Sequence, residues 1–445
     1  MKIAIPSVAL LVAIMGANVA AQEKPGVPLP GPKSASSSAR TLTIQEAEAI
    51  ALRNNPQITV GKLQALQSRE FARETRSALM PQVNVNVTGV DSNPGSRIAA
   101  GFLTNPAVYP RAAAGVTLTQ LITDFGRTTN LVSSSEFLAK AEDANAIATR
   151  QQIILAVDEA FYNVLETKAL LLVAEDTVKA RQDLVDQIQA LTNAKLRSDL
   201  DLSFSKVDLA RANLLLLESK NNYEASLSTL SAILGYPEQQ NFDAVESAPQ
   251  TLTPPEADAL PLIQKALQLR PEIVSLQEQV TAAEKFGKAE HDLWWPTVSA
   301  MGVTGQAPVR DNHIPSWYGA VGVNINVPVF NGFLFNARAK SADLGTEMTR
   351  KKLQDMQDGV ARDVRNSWLV TGKAYERLSV TKQLEEQASL ALELAQARYK
   401  LGLGTIVEFS QAELQKTDAD LQDTDAHYQY MLSQIVLAYE MGITR

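Results

Sequence analysis

The chain has 445 residues, of which 20% are charged, 6% are aromatic and 45% are hydrophobic, so it has the composition of a folded protein and not of a disordered one. Its net charge of -8, without any block of Lys and Arg, argues against a nucleic-acid-binding protein. It contains no cysteine, which excludes disulfides, thiolate catalysis, zinc–thiolate sites and a lipid anchor on an N-terminal cysteine.

The first residues have the layout of a secretory signal peptide. Lys2 precedes an apolar run, and the small residues Ala20 and Ala21 follow it. This pattern predicts a signal peptide over residues 1–21. A transmembrane helix is the alternative, but the run is short for the roughly 20 residues that a bilayer requires, and no second such run follows. Residues 22–40 are rich in Pro and Ser and predict a disordered leader.

The remaining chain consists of two copies of one pattern. Two motifs recur 215 positions later (55 to 270): Asn55-Pro56 as Arg270-Pro271, and Leu79-Met80-Pro81 as Trp294-Trp295-Pro296. Four positions recur at an offset of 207 (124 to 331): Asp124 as Asn331, Ser198 as Thr405, Asp201 as Glu408, and Gly235 as Gly442. The two copies therefore differ chiefly in one loop. We predict repeat 1 at residues 41–235, a Pro-rich linker at 236–259 and repeat 2 at 260–445.

Each repeat changes from helical periodicity to strand periodicity and back. Thr43-Ile44-Gln45-Glu46 is a capping box, which predicts a helix from here to about Leu79. Valines that alternate with polar residues then predict a β-hairpin at about 82–122. The second repeat shows the same alternation at about 297–329.

Very long helices should follow the hairpins. Residues 127–234 contain neither Gly nor Pro, and apolar residues recur in steps of three and four, as in a coiled-coil seam. Polar interruptions at 192–198 and 400–404 predict where the helices fold back. The first long helix, about 127–193, would be on the order of 100 Å long, which is too long for a compact domain. The two shorter helices of the repeat, stacked end to end, would pair with it.

The alternation in the hairpins is typical of transmembrane β-strands. A half-buried sheet in a soluble protein gives the same pattern, but the signal peptide, the repeated hairpins and the lack of nearby core-forming segments favour the membrane. Four strands cannot close a barrel, for which about eight are the minimum, so closure requires several chains. The predicted fold class is mainly α with a transmembrane β portion: a long coiled-coil helical barrel, four β-strands per chain in a shared barrel, and an internal two-fold repeat.

Four stretches of the sequence together carry a resemblance to a known protein family. They are Leu42 to Ala47 leading to Asn54-Asn55-Pro56, Leu79-Met80-Pro81, Pro328 to Gly332, and the most specific of them, Ala397 to Phe409, which contains Tyr-Lys-Leu-Gly-Leu-Gly-Thr. Together they resemble the TolC-like outer-membrane efflux protein (outer membrane factor) family. The resemblance covers about residues 41–445, including the duplication.

This resemblance implies a homotrimer whose twelve strands form an open barrel in the outer membrane of a Gram-negative bacterium, with a helical barrel spanning into the periplasm. It also implies partners: a periplasmic adaptor (membrane fusion) protein at the helical tips, and an inner-membrane pump of the RND, MFS or ABC type that supplies energy. The chain would be a passive exit channel for small molecules or proteins, in a tripartite efflux or a type I secretion system. The transported substrate and the pump class stay open.

The resemblance further implies a gate at the helix turns. Asp201 and Glu408 lie just after the two turns, so three chains would place six carboxylates around one opening, which would favour cations. The alternative is that both only complement helix dipoles. Tyr399 matches the family's tip tyrosine, which predicts a contact with Asp201, with packing as the alternative. The family's tip arginine is replaced by Gly404, and we hypothesise that Arg197 takes over by pairing with Glu408 or Asp201.

Two other sets of residues are candidates for contacts outside the chain. Gly402 and Leu403 resemble the tip that receives an adaptor hairpin, and Lys195 and Leu196 occupy the matching turn of repeat 1; a simple turn between helices is the alternative. Aromatic residues near the hairpins predict interfacial belts: Trp317, Tyr318, Tyr109 and Phe102. Trp294 and Trp295, at a helix-to-strand junction, fit a belt or a core.

No pattern predicts catalysis, a metal or a cofactor. The three histidines, at 291, 313 and 427, lie on different elements, and neither a His-x-x-x-His nor a Glu-x-x-His pair nor a glycine-rich phosphate loop is present in the sequence. The main alternative to the channel is a periplasmic coiled-coil adaptor or structural protein without its own pore. An α-helical enzyme is a more distant one.

Overall fold

A computed structural model describes residues 40–91, 111–246, 253–307 and 316–443 of the chain. The predicted signal peptide and the leader up to residue 39 lie outside the described residues, as do Phe102 and Tyr109 of the predicted belt. None of the described helices is both long enough and apolar enough to cross a membrane.

The two repeats contain the same long elements in the same order. Repeat 1 contains β1 (Arg40–Leu42), α1 (Ile44–Asn54), α2 (Pro56–Ser77), β2 (Gln82–Val90), β3 (Arg111–Thr123), α3 (Arg127–Asn193) and α4 (Asp199–Ile233). After β4 (Phe242–Ala244), repeat 2 contains α5 (Leu260–Leu269), α6 (Pro271–His291), β5 (Thr297–Gln306), β6 (Trp317–Asn326), α7 (Leu334–Lys400) and α8 (Ile406–Glu440). Helices α3 and α7 both have 67 residues, and α4 and α8 both have 35. The predicted internal repeat is thereby confirmed.

The long helices organise the packing. Helices α1, α2 and α4 pack along α3, while α5, α6 and α8 pack along α7. At 1.5 Å per residue, α3 and α7 are each about 100 Å long. Helix α6 also contacts α3, and α8 contacts both α3 and α4, so the two repeats are joined side by side. The predicted pairing of two shorter helices with one long helix is confirmed.

The prediction of one continuous helix up to about Leu79 is wrong, because the chain breaks at Asn55. Pro56 has no backbone N–H and disfavours helical geometry at the residue before it. Asn55 has an extended backbone, and its side chain accepts a hydrogen bond from Gln57 N (2.9 Å) and donates one to Ile233 O (2.9 Å). The break therefore fixes the start of α2 against the end of α4. Helices α5 and α6 are separated in the same way, at Pro271.

A two-stranded parallel sheet is a second difference from the prediction. Strand β1 pairs with β4, with Leu42 opposite Ala244. Leu42 is fully buried in a core that includes Phe161 and Leu230. Strand β1 begins at the last residue of the predicted leader, and β4 lies inside the predicted linker, so the sequence did not predict this small sheet.

The four longer strands form one antiparallel sheet in the order β2-β3-β5-β6. Val83, Val85 and Val87 on β2 are exposed, every residue of β6 is exposed, and Val321 on β6 is 92% exposed. A sheet that is half buried in a soluble protein would cover its apolar face with other elements of the same chain. Within the described residues, no other element covers the exposed faces of β2 and β6, which argues against the half-buried alternative.

The predicted capping box is present at the start of α1. The Thr43 hydroxyl accepts a hydrogen bond from Glu46 N (3.4 Å), and the Glu46 carboxylate accepts one from Thr43 N (3.0 Å). The substitution Thr43→Ala leaves one amide without its partner, so we expect it to lower stability by about 1 kcal/mol. Thermal unfolding followed by circular dichroism measures this, with the exposed Thr41→Ala as the matched control. Equal melting of the two variants would contradict the prediction.

Candidate functional site: the turns that close the helical hairpins

The turns between α3 and α4 and between α7 and α8 are built by the same hydrogen bonds. In the first turn, Lys195 N donates to Thr192 O (2.9 Å) and Leu196 N donates to Leu191 O (2.8 Å). The second turn repeats both bonds: Gly402 N donates to Tyr399 O (3.1 Å) and Leu403 N donates to Arg398 O (2.8 Å), with Gly402 in the place of Lys195. Lys195 and Gly402 both have left-handed backbones, with φ of 60° and 73°, which ends the helices.

Asp201 and Glu408 occupy the same helical position after the two turns. Ser198 caps α4 by accepting a hydrogen bond from Asp201 N (3.1 Å), and Thr405 caps α8 by accepting one from Glu408 N (3.2 Å). Each carboxylate therefore lies in the first turn of a helix, where the free amides favour negative charge. Glu408 is exposed, whereas Asp201 is partly buried.

Arg197 connects the first turn to the second hairpin. Its Nη2 donates a hydrogen bond to Tyr399 O (2.7 Å), and its guanidinium carbon lies 4.2 Å from the centroid of the Tyr399 ring. The same ring stacks on Phe409, with centroids 5.5 Å apart and planes 13° apart. Within the described residues of one protomer, Arg197 forms no ion pair with Asp201 or Glu408, the two partners that we hypothesised.

The Tyr399 hydroxyl is buried, and it has no hydrogen-bond partner among the described residues. The predicted contact of this hydroxyl with Asp201 is therefore not a hydrogen bond within the protomer. Burial raises the pKa of Tyr399, the Arg197 guanidinium lowers it, and the Asp201 carboxylate raises it. Tyr399 thus interacts electrostatically with a cation and an anion of the first hairpin.

Gly404 stands where the resemblance implies an arginine. A Cβ on Gly404 would lie 3.1 Å from Glu408 Oε2 and 3.3 Å from Arg398 Cβ, so a larger side chain would require these neighbours to move. Arg398 instead donates to Leu403 O (3.1 Å), within its own turn. Among the described residues of the two turns, the guanidinium of Arg197 reaches from one hairpin to the other.

An apolar cluster lies directly behind the turns and joins all four helix ends. Its buried members are Val185, Ile188, Leu202, Tyr399, Ile406 and Phe409. They come from the end of α3, the start of α4, the end of α7 and the start of α8. Because each hairpin supplies part of this cluster, separating the hairpins would expose apolar surface to water.

A buried group of charges lies further from the turns, and the sequence did not reveal it. Arg181 on α3 forms an ion pair with Glu413 on α8, and the Ser410 hydroxyl donates to Asp208 on α4. The side chains of Arg181, Asp208 and Glu413 are almost fully buried. Burial lowers the pKa of Arg181, which Asp208 opposes; burial raises the pKa of Asp208, which Arg181 and then Arg211 oppose. We call these four residues, Arg181, Asp208, Ser410 and Glu413, the charge cluster.

A pair of carboxyl groups joins α3 to α8 nearer the centre of the long helices. Burial, and then a hydrogen bond and repulsion from Asp425, raise the pKa of Glu166 to about 7, while Gln429 and Arg377 lower it. Arg377 Nη2 lies 2.7 Å from Asp425 Oδ2. The folded state holds the Glu166 proton more tightly than the unfolded state. The contribution of this proton to the free energy of unfolding is therefore fully present below pH 4.5 and is lost as the pH rises towards 7.

The substitution Glu166→Gln imitates the protonated side chain. We therefore expect it to raise the melting temperature above pH 7 and to leave it unchanged below pH 4.5. Melting curves of wild type and variant across this range test the prediction, with the exposed Glu175→Gln as the control. A Glu166→Gln difference that stays constant with pH would contradict it.

Aromatic side chains lie at both ends of the sheet. Trp317 and Tyr318 of the predicted belt are exposed at the start of β6. At the other end, where strands meet helices, Trp295 stacks on Phe125 (5.6 Å) and Trp294 packs edge-to-face on Phe335 (5.5 Å). Both tryptophans are exposed and not core residues. The sequence prediction missed a further exposed group at this junction: Phe125, Phe330 and Phe333.

Comparison with known proteins now identifies the family. The family model for outer membrane efflux proteins matches residues 49–236 and 262–442, which together are most of the chain and correspond to its two repeats. The chain belongs to the outer membrane efflux protein family. The predicted family is thereby confirmed.

Individual relatives agree with the family match. The chain is 24% identical to the outer membrane protein TolC of Escherichia coli over 432 residues, which cover 94% of this chain and 85% of TolC. It is 25% identical to TolC of Vibrio cholerae over 423 residues, which cover 88% and 89% of the two chains. The crystal structure of CusC superposes with a TM-score of 0.79 at 18% identity, over 94% of this chain and 98% of CusC. The open-state structure of the MtrE outer membrane channel of Neisseria gonorrhoeae superposes with a TM-score of 0.76 at 17% identity, over 93% and 94%.

The protein is an outer-membrane efflux channel of a Gram-negative bacterium. Its fold is the mainly helical channel fold with a small β portion, as predicted. These findings favour the channel over the alternative of a periplasmic adaptor without its own pore.

Proposed function

We propose that three copies of this chain form a passive exit duct for a tripartite efflux system. The observation that carries the proposal is the sheet, which among the described residues has four strands, unpaired edges at β2 and β6, and apolar side chains exposed to its surroundings. Unpaired edges and exposed apolar faces are unfavourable in water. Three copies of four strands give twelve, which is enough to close a barrel with an open passage.

The helices support the same assembly. Their outward faces carry exposed apolar side chains along their length, among them Phe204, Val207, Leu214, Val370, Val380 and Leu390. Neighbouring protomers would cover these side chains and form a helical barrel that continues the β-barrel through the periplasm. The proposal includes the domain boundaries. Repeat 1 is residues 41–235, the linker is 236–259 and repeat 2 is 260–445, and a signal peptide and a leader precede them.

The turns would form the gate. Asp201 and Glu408 of three protomers would place six carboxylates at the periplasmic opening, where they favour cations. Arg197 and Tyr399 would hold the two hairpins of each protomer together in the closed state. Trp317 and Tyr318, with Tyr109 and Phe102, would contact the lipid interface.

Partners would act at the turns and beyond the inner membrane. A periplasmic adaptor would bind the tips at Lys195, Leu196, Gly402 and Leu403, and an inner-membrane pump of the RND, MFS or ABC type would supply the energy. A relative in Pseudomonas putida, 22% identical over 378 residues, is named a probable efflux pump outer membrane protein, TtgC, which supports an efflux role over secretion. The chain itself would catalyse no reaction and bind no cofactor.

The test is the state of the full chain in cells and its conductance. We expect heat-modifiable trimers in the outer-membrane fraction and, in planar bilayers, cation-selective channels that are mostly closed. A soluble periplasmic monomer, the result expected of an adaptor or structural protein, would refute the proposal.

A further inference from the structure

A groove lies between the ends of three helices, next to the four-stranded sheet. Helices α3 and α7 begin shortly after strands β3 and β6, and α6 ends shortly before β5. The groove between these ends has a volume of about 630 Å³, which is within the range of ligand sites in proteins. Its lining includes Arg127 and Leu131 of α3, Phe286 and Glu290 of α6, and Arg338 and Met348 of α7. It therefore lies where the sheet meets the long helices.

Three charged side chains in the groove are not neutralised within the protomer. Glu290 is 7% exposed, and among the described residues its carboxylate forms no hydrogen bond and no ion pair. Arg127 Nε is buried and has no hydrogen-bond partner in the described part of the chain. Arg338 is exposed, and no ion pair of the described residues joins either guanidinium to Glu290. A charge held out of water without a partner is unfavourable, so the groove is suited to a ligand that carries both signs of charge.

Two faces of the α6–α7 pair differ in character. One face is lined by polar and charged side chains: Glu284, Lys288, His291, Asp343, Thr346, Glu347 and Arg350. The face with the groove carries Phe286 and Met348, which are both exposed. Trp294 lies one helical turn after Glu290 and packs on Phe335, so this aromatic pair lies at the end of the groove nearest the sheet. A water-filled passage favours the polar face, so the face with the groove points outward, towards the membrane interface.

We propose that this groove binds the phosphoethanolamine headgroup of a phospholipid from the periplasmic leaflet of the outer membrane. The guanidiniums of Arg127 and Arg338 would donate hydrogen bonds to the phosphate, and the Glu290 carboxylate would accept hydrogen bonds from the primary ammonium. A free phosphate or an anionic lipid would neutralise the arginines but leave Glu290 buried without a cation. This inference rests on the proposed function, because it needs the sheet to lie in the membrane, and it adds a lipid site that an exit duct does not require.

The test uses the full-length protein, purified from outer membranes in detergent, and native mass spectrometry to count bound lipids. The probes are phosphatidylethanolamine and phosphatidylglycerol with the same acyl chains, because phosphatidylglycerol has the phosphate but lacks the ammonium. We expect phosphatidylethanolamine to bind about tenfold more tightly, as one charge-assisted hydrogen bond in a partly buried site provides. Inorganic phosphate at the same concentration should not displace it.

Two variants assign the lipid preference to the groove. Arg127→Gln/Arg338→Gln should bind phosphatidylethanolamine about tenfold more weakly, because the phosphate loses both guanidiniums. Glu290→Gln should bind the two lipids with equal affinity, because the amide does not supply the negative charge that favours the ammonium. The matched control is Arg365→Gln, which changes an exposed arginine on α7 away from the groove and should keep the binding of wild type.

Equal binding of the two lipids to wild type, tighter binding of phosphatidylglycerol, displacement by inorganic phosphate, or wild-type binding by Arg127→Gln/Arg338→Gln would overturn the inference. So would a Glu290→Gln variant that melts at a lower temperature but keeps the lipid preference, because Glu290 would then act only within the chain. The comparison of the two lipids on wild type needs no variant, so it decides the inference even where a variant fails to assemble.

Conductance in planar bilayers, measured on the same preparation, separates this site from the proposed function. Channels that conduct but show no lipid preference would refute the lipid site and leave the duct standing. Chains that show the preference but form no channel would refute the duct.

Discussion

The substitution Arg181→Met is expected to destabilise the protein by about 3–5 kcal/mol. Arg181 is the buried cation of the charge cluster, and its loss leaves the carboxylates of Glu413 and Asp208 buried without it. An uncompensated buried charge costs more than the ion pair contributes, because the carboxylate keeps its desolvation penalty. Thermal unfolding followed by circular dichroism measures the loss.

Two further variants isolate the cause. Arg211 lies 3.6 Å from Asp208 but is 61% exposed, so Arg211→Met should cost less than about 1 kcal/mol. The double variant Arg181→Met/Glu413→Met removes both charges of the ion pair and should recover most of the stability. Equal melting temperatures of the two single variants, Arg181→Met and Arg211→Met, would show that the buried ion pair does not have the predicted effect.

The effect of pH gives the same cluster a second test. In Arg181→Met, the carboxylates lose the cation that lowers the pKa of Asp208, so protonation becomes easier in the folded state. The difference in the free energy of unfolding between Arg181→Met and wild type should therefore shrink as the pH falls. A difference that does not change with pH would indicate that the variant is destabilised by lost packing and not by an uncompensated charge.

The parts of the fold that the sequence predicted correctly depend on local signals. The capping box at Thr43 needs only neighbouring residues, and the length of α3 follows from a stretch without Gly or Pro. The alternation in β2 and β6 is also local. Strands β1 and β4 were missed because each has three residues and they are about 200 positions apart, so neither has a period of its own. The break before Pro56 was missed although proline at this position carries the necessary signal.

The candidate site was predictable in its position but not in its contacts. The offset between the repeats placed Asp201 and Glu408 at equivalent helical positions, and the structure shows both at the same step of the first turn. The partner of Arg197 was not predictable, because a long side chain at a turn reaches several acceptors and packing decides among them. Arg181 continues the apolar seam of α3, seven residues after the buried Ala174 and four before Val185. A charged residue in such a seam was the signal that would have found the charge cluster.

The substitution Arg197→Ala is expected to raise the open probability of the channel about tenfold. Arg197 holds the first turn to the second hairpin through a hydrogen bond to Tyr399 O and through the ring of Tyr399. In the proposed gate, loss of both contacts would weaken the closed state by about 1–2 kcal/mol, and each 1.4 kcal/mol changes an equilibrium tenfold. Arg197→Lys should have an intermediate effect, because lysine keeps the charge but lacks the planar group that stacks on the ring.

Single-channel recording of trimers in planar bilayers tests this expectation. The control is Lys206→Ala, which removes an exposed cation from α4 near the same turn and should behave like wild type. If Arg197→Ala conducts no more than wild type, the contact of Arg197 with Tyr399 does not hold the gate closed. The closed state would then depend on the apolar cluster behind the turns, and Phe409→Ala would open the channel where Arg197→Ala does not.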